Sequence, residues 1–198
     1  MDATIDIKRI ILTTVVCSAS SILPLTISTS EDFYPFLVPL LFSIVIPLTS
    51  FDKIKTSKKY QAFVLSAILT TVIFFLSVMS GLFLGRSFLG QYSIFLVCVL
   101  SGLLTLLSFS LTIKIDSIKL GLWVTALLAL SVPPLTKLLR GHKIFNLELF
   151  SDPATFFIVW QTIIGLGLAI SIWTKTNERT PAHNSTLPKA GRTCKYEH

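Results

Sequence analysis

The sequence predicts an all-α integral membrane protein, a bundle of six transmembrane helices with both termini in the cytoplasm. Of its 198 residues, 52% are hydrophobic and only 14% are charged, whereas soluble domains carry about 25% charged residues. A chain of this size buries only about two-thirds of its surface, so the remaining apolar surface must face lipid. Six apolar windows are each long enough to cross a bilayer as a helix. They cover residues 9–28, 33–51, 61–84, 90–113, 118–136 and 154–174.

The first window follows a basic pair in "IDIKRIILTTVVCSASSILPLTI", so a cleaved signal peptide is the alternative to a retained span. The apolar stretch from Ile10 to Ile27 has about 18 residues, which is enough to cross a bilayer. Val16 precedes Cys17, where a lipoprotein signal has a small residue. We therefore expect the segment to be retained as the first span.

The second window, "FYPFLVPLLFSIVIPLTSF", contains Pro35, Pro39 and Pro47. Proline removes a backbone donor and clashes with the preceding turn. The window predicts a span that is kinked or ends early near Pro47 but still crosses. The third and fourth windows are bounded by the charged or turn-forming segments "FDKIKTSKK", "LGRSFLG" and "KIDSIK".

The fifth window, residues 118–136, contains Pro133 and Pro134 close to its end. These prolines predict that the helix terminates there. A short interfacial helix is expected after them, because leucines and cations there occupy opposite sides at helical spacing, and Gly141 is expected to end it. The sixth span should begin at Ser151 or Asp152, with Pro153 in its first turn.

The orientation follows from the distribution of Lys and Arg, which accumulate in short cytoplasmic loops. With the N-terminus inside, ten cations lie on the inner side and four on the outer side. The inner ones are Lys8, Arg9, Lys53, Lys55, Lys58, Lys59, Lys114, Lys119, Lys175 and Arg179, and the outer ones are Arg86, Lys137, Arg140 and Lys143. Residues 1–174 form the predicted transmembrane domain, and residues 175–198 read as a disordered basic cytoplasmic tail.

The predicted spans contain no Asp, Glu, Lys, Arg or His in their middle thirds. Charged groups at that depth usually mark ion pathways or proton relays. The serine, histidine and aspartate patterns of intramembrane proteases, CDP-alcohol phosphotransferases and lipid phosphatases cannot be assembled either. We therefore expect no enzyme, no catalytic or metal-binding residues and no cofactor. The net charge of +7 is explained by topology, so no nucleic-acid partner is predicted.

Small residues four positions apart allow two helix backbones to approach closely in lipid. The third span has such a stripe in Ser77, Gly81 and Gly85, the sixth in Gln161, Gly165 and Ala169, and the fifth in Gly121, Thr125 and Ala129. Packing within the bundle is the first interpretation of these stripes, and an interface with a partner is the second. The buried amide of Gln161 is expected to bond a hydroxyl such as Ser101 or Thr105.

The segment between the fifth and sixth spans faces outward on this topology and is basic against the charge bias. Its candidate contact surface comprises Lys137, Arg140, His142, Lys143 and Phe145. The alternative is a linker whose apolar residues rest on the bilayer.

These features predict a non-catalytic membrane accessory or interaction protein whose partners are the bilayer and another membrane protein. Proteins that protect a cell from a membrane-inserting toxin belong to this class. The alternative is a small channel or a solute-binding membrane subunit. Six spans in about 200 residues with both ends inside resembles the substrate-binding subunits of energy-coupling-factor transporters, although their small-residue docking motif is not evident in "TTVVCSASSIL". The expected location is a bacterial inner membrane.

Overall fold

The structure is a computed structural model that describes residues 3–27, 34–85, 92–139 and 152–176. These residues form six α-helices and two three-residue strands. The helices are α1 (Ile7–Ile27), α2 (Tyr34–Thr49), α3 (Lys59–Gly85), α4 (Ser93–Thr112), α5 (Ile118–Leu139) and α6 (Asp152–Trp173), and the strands are β1 (Ala3–Ile5) and β2 (Thr174–Thr176).

Five helices, α1 and α3 to α6, are long and apolar enough to cross a membrane. The composition of the helices therefore matches an integral membrane protein. The second helix has 16 residues and is about 24 Å long, which is less than the hydrocarbon core of about 30 Å. Pro47 lies inside the helix, which ends at Thr49, two residues before the end of the predicted window.

The fifth helix continues through Pro133 and Pro134 to Leu139, so the predicted termination at the prolines is wrong. A separate interfacial helix was expected after the prolines. This prediction is also wrong for the residues up to Leu139, because they belong to α5. Proline has a helical φ, so it fits the helix although it lacks the backbone N–H. The hydroxyls of Ser131 and Thr136 donate to the carbonyl oxygens of Leu128 and Val132, whereas the carbonyls that lose their usual donors at the prolines are those of Ala129 and Leu130. The predicted start of the sixth helix at Asp152 is confirmed.

Helices that follow one another in the chain pack side by side, and α6 closes the ring by packing against α1. The sixth helix also reaches α2 and α4, which places it nearest to the centre of the bundle. In its spanning segment 61% of the residues are buried, compared with 22–39% in the other four. Of the five spanning helices, α6 is therefore the one most enclosed by its neighbours.

The two ends of the described chain meet at the same end of the bundle. Strand β1 pairs antiparallel with β2, with Thr4 opposite Lys175. The backbone N–H of Asp6 donates to the carbonyl oxygen of Trp173 at 3.1 Å. We call this the terminal end, and it also contains the α2–α3 and α4–α5 connections, which are bonded to each other.

Candidate functional site

Gly165 of the sixth-helix stripe lies against α1. A methyl group built on Gly165 would lie 2.8 Å from both Cβ and Sγ of Cys17. Real Cβ atoms do not approach this closely, because their van der Waals surfaces would overlap. Ala169, one turn further along, is also fully buried. The absence of a side chain at Gly165 therefore sets the distance between α1 and α6.

The fifth-helix stripe contacts the opposite side of α6. A methyl group on Gly121 would lie 2.2 Å from Oγ of Ser171, and one on Gly167 would lie 2.6 Å from Oγ1 of Thr125. Thr125 and Ala129 are fully buried. The close approach of α5 and α6 thus depends on glycines from both helices, including Gly167, which was not part of a predicted stripe.

The side-chain amide of Gln161 is fully buried and donates to the carbonyl oxygen of Val38 at 2.6 Å. The predicted hydroxyl partner is therefore wrong. The hydroxyl of Ser101 instead accepts a bond from Nε1 of Trp160 at 3.2 Å. Among the described residues, Oε1 of Gln161 has no hydrogen-bond partner. A backbone carbonyl in the proline-containing α2 is an acceptor that sequence spacing does not reveal.

An aromatic cluster fills the space between α2, α4 and α6 close to Gln161. The ring centroid of Phe42 lies 6.1 Å from that of Phe109 and 5.8 Å from that of Trp160. Phe42 and Phe109 are fully buried, and Trp160 is nearly so. Offset and edge contacts of this kind favour dense packing over a void. This part of the bundle interior is therefore packed with side chains.

The small-residue stripe of the third helix has a different environment. Among the described residues, no atom lies within 4 Å of a methyl group built on Gly81, and both Ser77 and Gly81 are partly exposed. The hydroxyl of Ser77 donates to the carbonyl of Ile73 in its own helix at 2.7 Å. Gly85 ends α3. Unlike the stripes of α5 and α6, this stripe has no tight contact at Gly81.

The α3 stripe nevertheless lies on the same side of the helix as the residues that face the bundle. At 100° per residue, Ser77 and Gly81 lie on the same side as Ser66, Thr70 and Ile73, and those three residues are buried. The helix therefore packs inward over its first half and leaves this side open near Gly81.

The outer contact surface is described at only one of its residues. Lys137 lies exposed in the last turn of α5. Arg140, His142, Lys143 and Phe145 lie outside the described residues.

A charged group at the terminal end was not predicted from the sequence as a site. We call it the Trp173 cluster, and it consists of Arg9, Asp52, Lys53, Asp116 and Trp173. The ammonium of Lys53 donates to Oδ2 of Asp116 and to the carbonyl oxygen of Ile172. The side chains of Lys53 and Asp116 are only 14% and 12% exposed. This is an ion pair largely removed from solvent.

Two cations lie over the indole of Trp173, which is 7% exposed. The Lys53 ammonium is 4.5 Å from the ring centroid, and the Arg9 guanidinium is 4.8 Å from it. Such contacts are electrostatically attractive, more so when desolvated. Arg9 also pairs with Asp52 at 3.6 Å, but those side chains are 44% and 55% exposed. The Trp173 cluster therefore combines one buried and one exposed ion pair.

The sequence contains a signal for the Trp173 cluster, although the same charges are used above only to predict the orientation. Two connections at the terminal end, "FDK" and "KIDSIK", each combine an Asp with a Lys. The sequence does not show which acid pairs with which base, because Lys53 pairs with Asp116 and not with its neighbour Asp52. Among the described residues, no group of three or more His, Cys, Asp or Glu is placed to hold a metal ion.

Comparison with known proteins gives no relative for this arrangement. The chain matches no protein-family model, no curated protein and no solved structure.

Proposed function

We propose that this chain is a non-catalytic, six-span protein of the bacterial inner membrane that binds another membrane protein through the open side of α3. Both termini are cytoplasmic in this proposal. The contact surface is centred on Ser77 and Gly81, in the half of α3 that is remote from the terminal end. The protective proteins that block membrane-inserting toxins are one group within this class.

The topology is supported by the path of α2. The first helix starts at the terminal end and has 21 residues, so it finishes near the opposite end. The second helix then returns to Phe51–Lys53, where Lys53 contacts Trp173. A helix that makes this return journey crosses the bundle despite its short described length. The concentration of cations in the connections at the terminal end supports a cytoplasmic location for it.

The observation that carries the proposal is the environment of Gly81. An added methyl group would lie within 3 Å of a neighbouring side chain at Gly102, Gly121, Gly165 and Gly167, whereas at Gly81 no atom in the described part of the chain lies within 4 Å. A partner helix could approach the backbone closely there, and close packing replaces the hydrophobic drive that is missing between helices in lipid. The internal stripes are already occupied, so α3 is the place where a further helix fits best.

The packed interior supports an accessory role over a solute carrier. A carrier needs space for its substrate between the helices, and ligand sites are usually concave. The aromatic cluster of Phe42, Phe109 and Trp160 occupies the interior beside Gln161. A protein that acts by contact requires no such space.

The experiment is crosslinking in native membranes, with mass spectrometry to identify the captured protein. A photoreactive residue at Ser77, one turn before Gly81 on the same side of the helix, should capture a specific partner. Gly81→Leu should abolish capture, because its side chain fills the groove that the partner would occupy. Met79→Phe is the matched control. Met79 is 48% exposed, and the larger phenylalanine adds bulk on the opposite side of the same helix. It should leave capture unchanged.

Equal capture in the Gly81→Leu variant and in wild type would contradict the proposed contact. The folded state of each variant is checked by its thermal unfolding in detergent, which neither change should lower. A metabolite that raises the unfolding temperature of the wild-type protein would instead support the solute-binding alternative.

A further inference from the structure

The connection between α2 and α3 forms a strap across the terminal end. We define the strap as residues 50–55. The backbone N–H of Lys55 donates to the carbonyl of Thr112 at 2.9 Å, and the N–H of Lys114 donates to the carbonyl of Lys53 at 2.8 Å. Ile54 forms a bridge with Ile113 between these two bonds. The strap is therefore bonded to the α4–α5 connection by a short antiparallel ladder.

Lys53 adds a side-chain connection between the strap and two other elements. Its ammonium bonds Asp116 in the α4–α5 connection and the Ile172 carbonyl at the end of α6, and it lies over Trp173. The acceptor at Ile172 belongs to the last turn of α6, where helix carbonyls lack partners and carry partial negative charge. One cation thus joins three separate chain segments.

A largely buried ion pair is a poor means of obtaining stability alone. The cost of removing both charges from water can exceed their attraction, and well-packed apolar residues often stabilise as much or more. Removal of one partner is strongly destabilising, because the other charge is left buried and unpaired. The best-attested use of such a pair is to specify one arrangement or to form a switch.

The structure also offers space into which Lys53 can move. A cavity of about 560 Å³ adjoins the Trp173 cluster and is lined by Ile5, Asp6, Ile7, Lys8, Asp52, Lys53 and Trp173. Asp52, beside Lys53 in the chain, is 55% exposed in its side chain. Rotation of the Lys53 side chain away from Asp116 would therefore place the ammonium near water and a second carboxylate.

We propose that the strap is a conformational latch with a closed and an open state. In the closed state Lys53 bonds Asp116 and Ile172 and covers Trp173. In the open state Lys53 enters the adjoining cavity, the ladder to Thr112 and Lys114 breaks, and the end of α6 becomes accessible from the cytoplasmic side. The helices remain packed in both states, because the strap residues that move belong to none of the six α-helices.

Amide hydrogen exchange of the full-length protein in lipid nanodiscs tests the latch. Amides that open together exchange with one common protection, and they exchange faster than amides that require global unfolding. The wild-type amides of Lys55 and Lys114 should share the same protection, below that of buried α4 and α6 amides. Exchange of the strap only at the global unfolding rate would overturn the proposal.

Two variants separate a latch from a simple tie. Asp116→Leu leaves Lys53 unpaired and should raise exchange at Lys55 and Lys114 by on the order of a hundredfold. The double variant Lys53→Met with Asp116→Leu restores an apolar match and should return protection to the wild-type value or above it. Failure of the double variant to restore protection would overturn the proposal, as would unchanged exchange in the single variant.

The exposed pair of the Trp173 cluster provides the matched control. Arg9→Gln breaks this exposed pair and leaves both carboxylates available to Lys53, so it should change strap exchange by less than about fivefold, because exposed pairs contribute little. Protection of α4 and α6 amides in every variant reports whether the bundle is still folded. A fall in helix protection equal to that in the strap would show that Asp116 supports the whole fold and would contradict a local latch.

Discussion

The contact between Gly165 and Cys17 predicts the cost of adding one methyl group in the centre of the bundle. The new Cβ of Gly165→Ala would lie 2.8 Å from both Cβ and Sγ of Cys17. The backbone-linked Cβ of Cys17 cannot rotate away, so α1 and α6 must separate. Over-packing of this kind costs about 1–3 kcal/mol in the free energy of unfolding.

Gly81→Ala is the reference variant for this measurement. Replacement of glycine by alanine stabilises a helix by about 1 kcal/mol at either position. No atom of the residues that the structure describes lies within 4 Å of the added methyl group at Gly81, so that variant should retain the helical gain. The propensity terms cancel when the two variants are compared. We therefore expect Gly165→Ala to be about 1–3 kcal/mol less stable than Gly81→Ala.

The assay is reversible unfolding by SDS in mixed micelles, followed by far-ultraviolet circular dichroism. Both variants and the wild-type protein are titrated under identical conditions, so that differences in midpoint report differences in unfolding free energy. Equal stability of the two alanine variants would refute the reasoning, because it would show that α1 and α6 are not in tight contact at Gly165.

A second-site change extends the same test. Cys17→Gly removes both atoms that the new methyl group would meet. Combined with Gly165→Ala, it should recover most of the over-packing cost, and the coupling energy of the double-mutant cycle should be about 1–3 kcal/mol. A coupling energy near zero would assign the instability of Gly165→Ala to another neighbour.

Three further predictions concern the interior and α5. Gln161→Leu should change the unfolding free energy by about 1 kcal/mol or less, because it removes one bond to Val38 and also one buried oxygen without a described partner. Gln161→Glu should destabilise the protein far more, and equal effects of the two variants in SDS titration would contradict the burial of Gln161. Trp160→Phe removes the bond to Ser101 and should cost about 0.5–1.5 kcal/mol, whereas the exposed Trp123→Phe should cost almost nothing in the same assay. Replacement of Pro133 and Pro134 by alanine should leave the helix content measured by circular dichroism unchanged, and a large gain would show that the prolines interrupt α5.

The sequence was sufficient for the class of protein and for most helix positions. Helices in lipid need about 20 apolar residues because the backbone must bond to itself across the hydrocarbon core. That requirement acts locally, so it can be read from windows of the chain. The windows for the third and sixth spans, residues 61–84 and 154–174, agree with Lys59–Gly85 and Asp152–Trp173 within two residues at each end.

The sequence was misleading at the prolines of α5. Proline breaks helices in water, and Pro133 and Pro134 were therefore expected to end the span. In the structure the helix continues to Leu139. Proline has a helical φ, and the two prolines lie in the last two turns of α5, so only the backbone bonds to the carbonyls of Ala129 and Leu130 are lost. Propensity describes an average position in a helix interior and does not take this place near the helix end into account.

The candidate contact residues were also predicted only in part from the sequence. The glycines at positions 81 and 165 have the same sequence signal, a small residue at a spacing of four. Within the described ranges, Gly165 meets Cys17 and Gly81 meets nothing within 4 Å. Helix α6 packs against four other helices, whereas α3 packs mainly against α2 and α4. Which small residue is free for a partner is therefore a property of helix arrangement.

Taken by itself, the sequence determined that this chain resides in a membrane as a bundle of apolar helices. Apolar length, the absence of charges from the span centres and the distribution of cations are all local quantities. The tertiary structure decided which carbonyl Gln161 bonds, which acid Lys53 bonds and which glycine remains open. Each of these depends on distances between residues far apart in the chain, such as the 63 positions that separate Lys53 from Asp116, and such distances are fixed only when the helices pack.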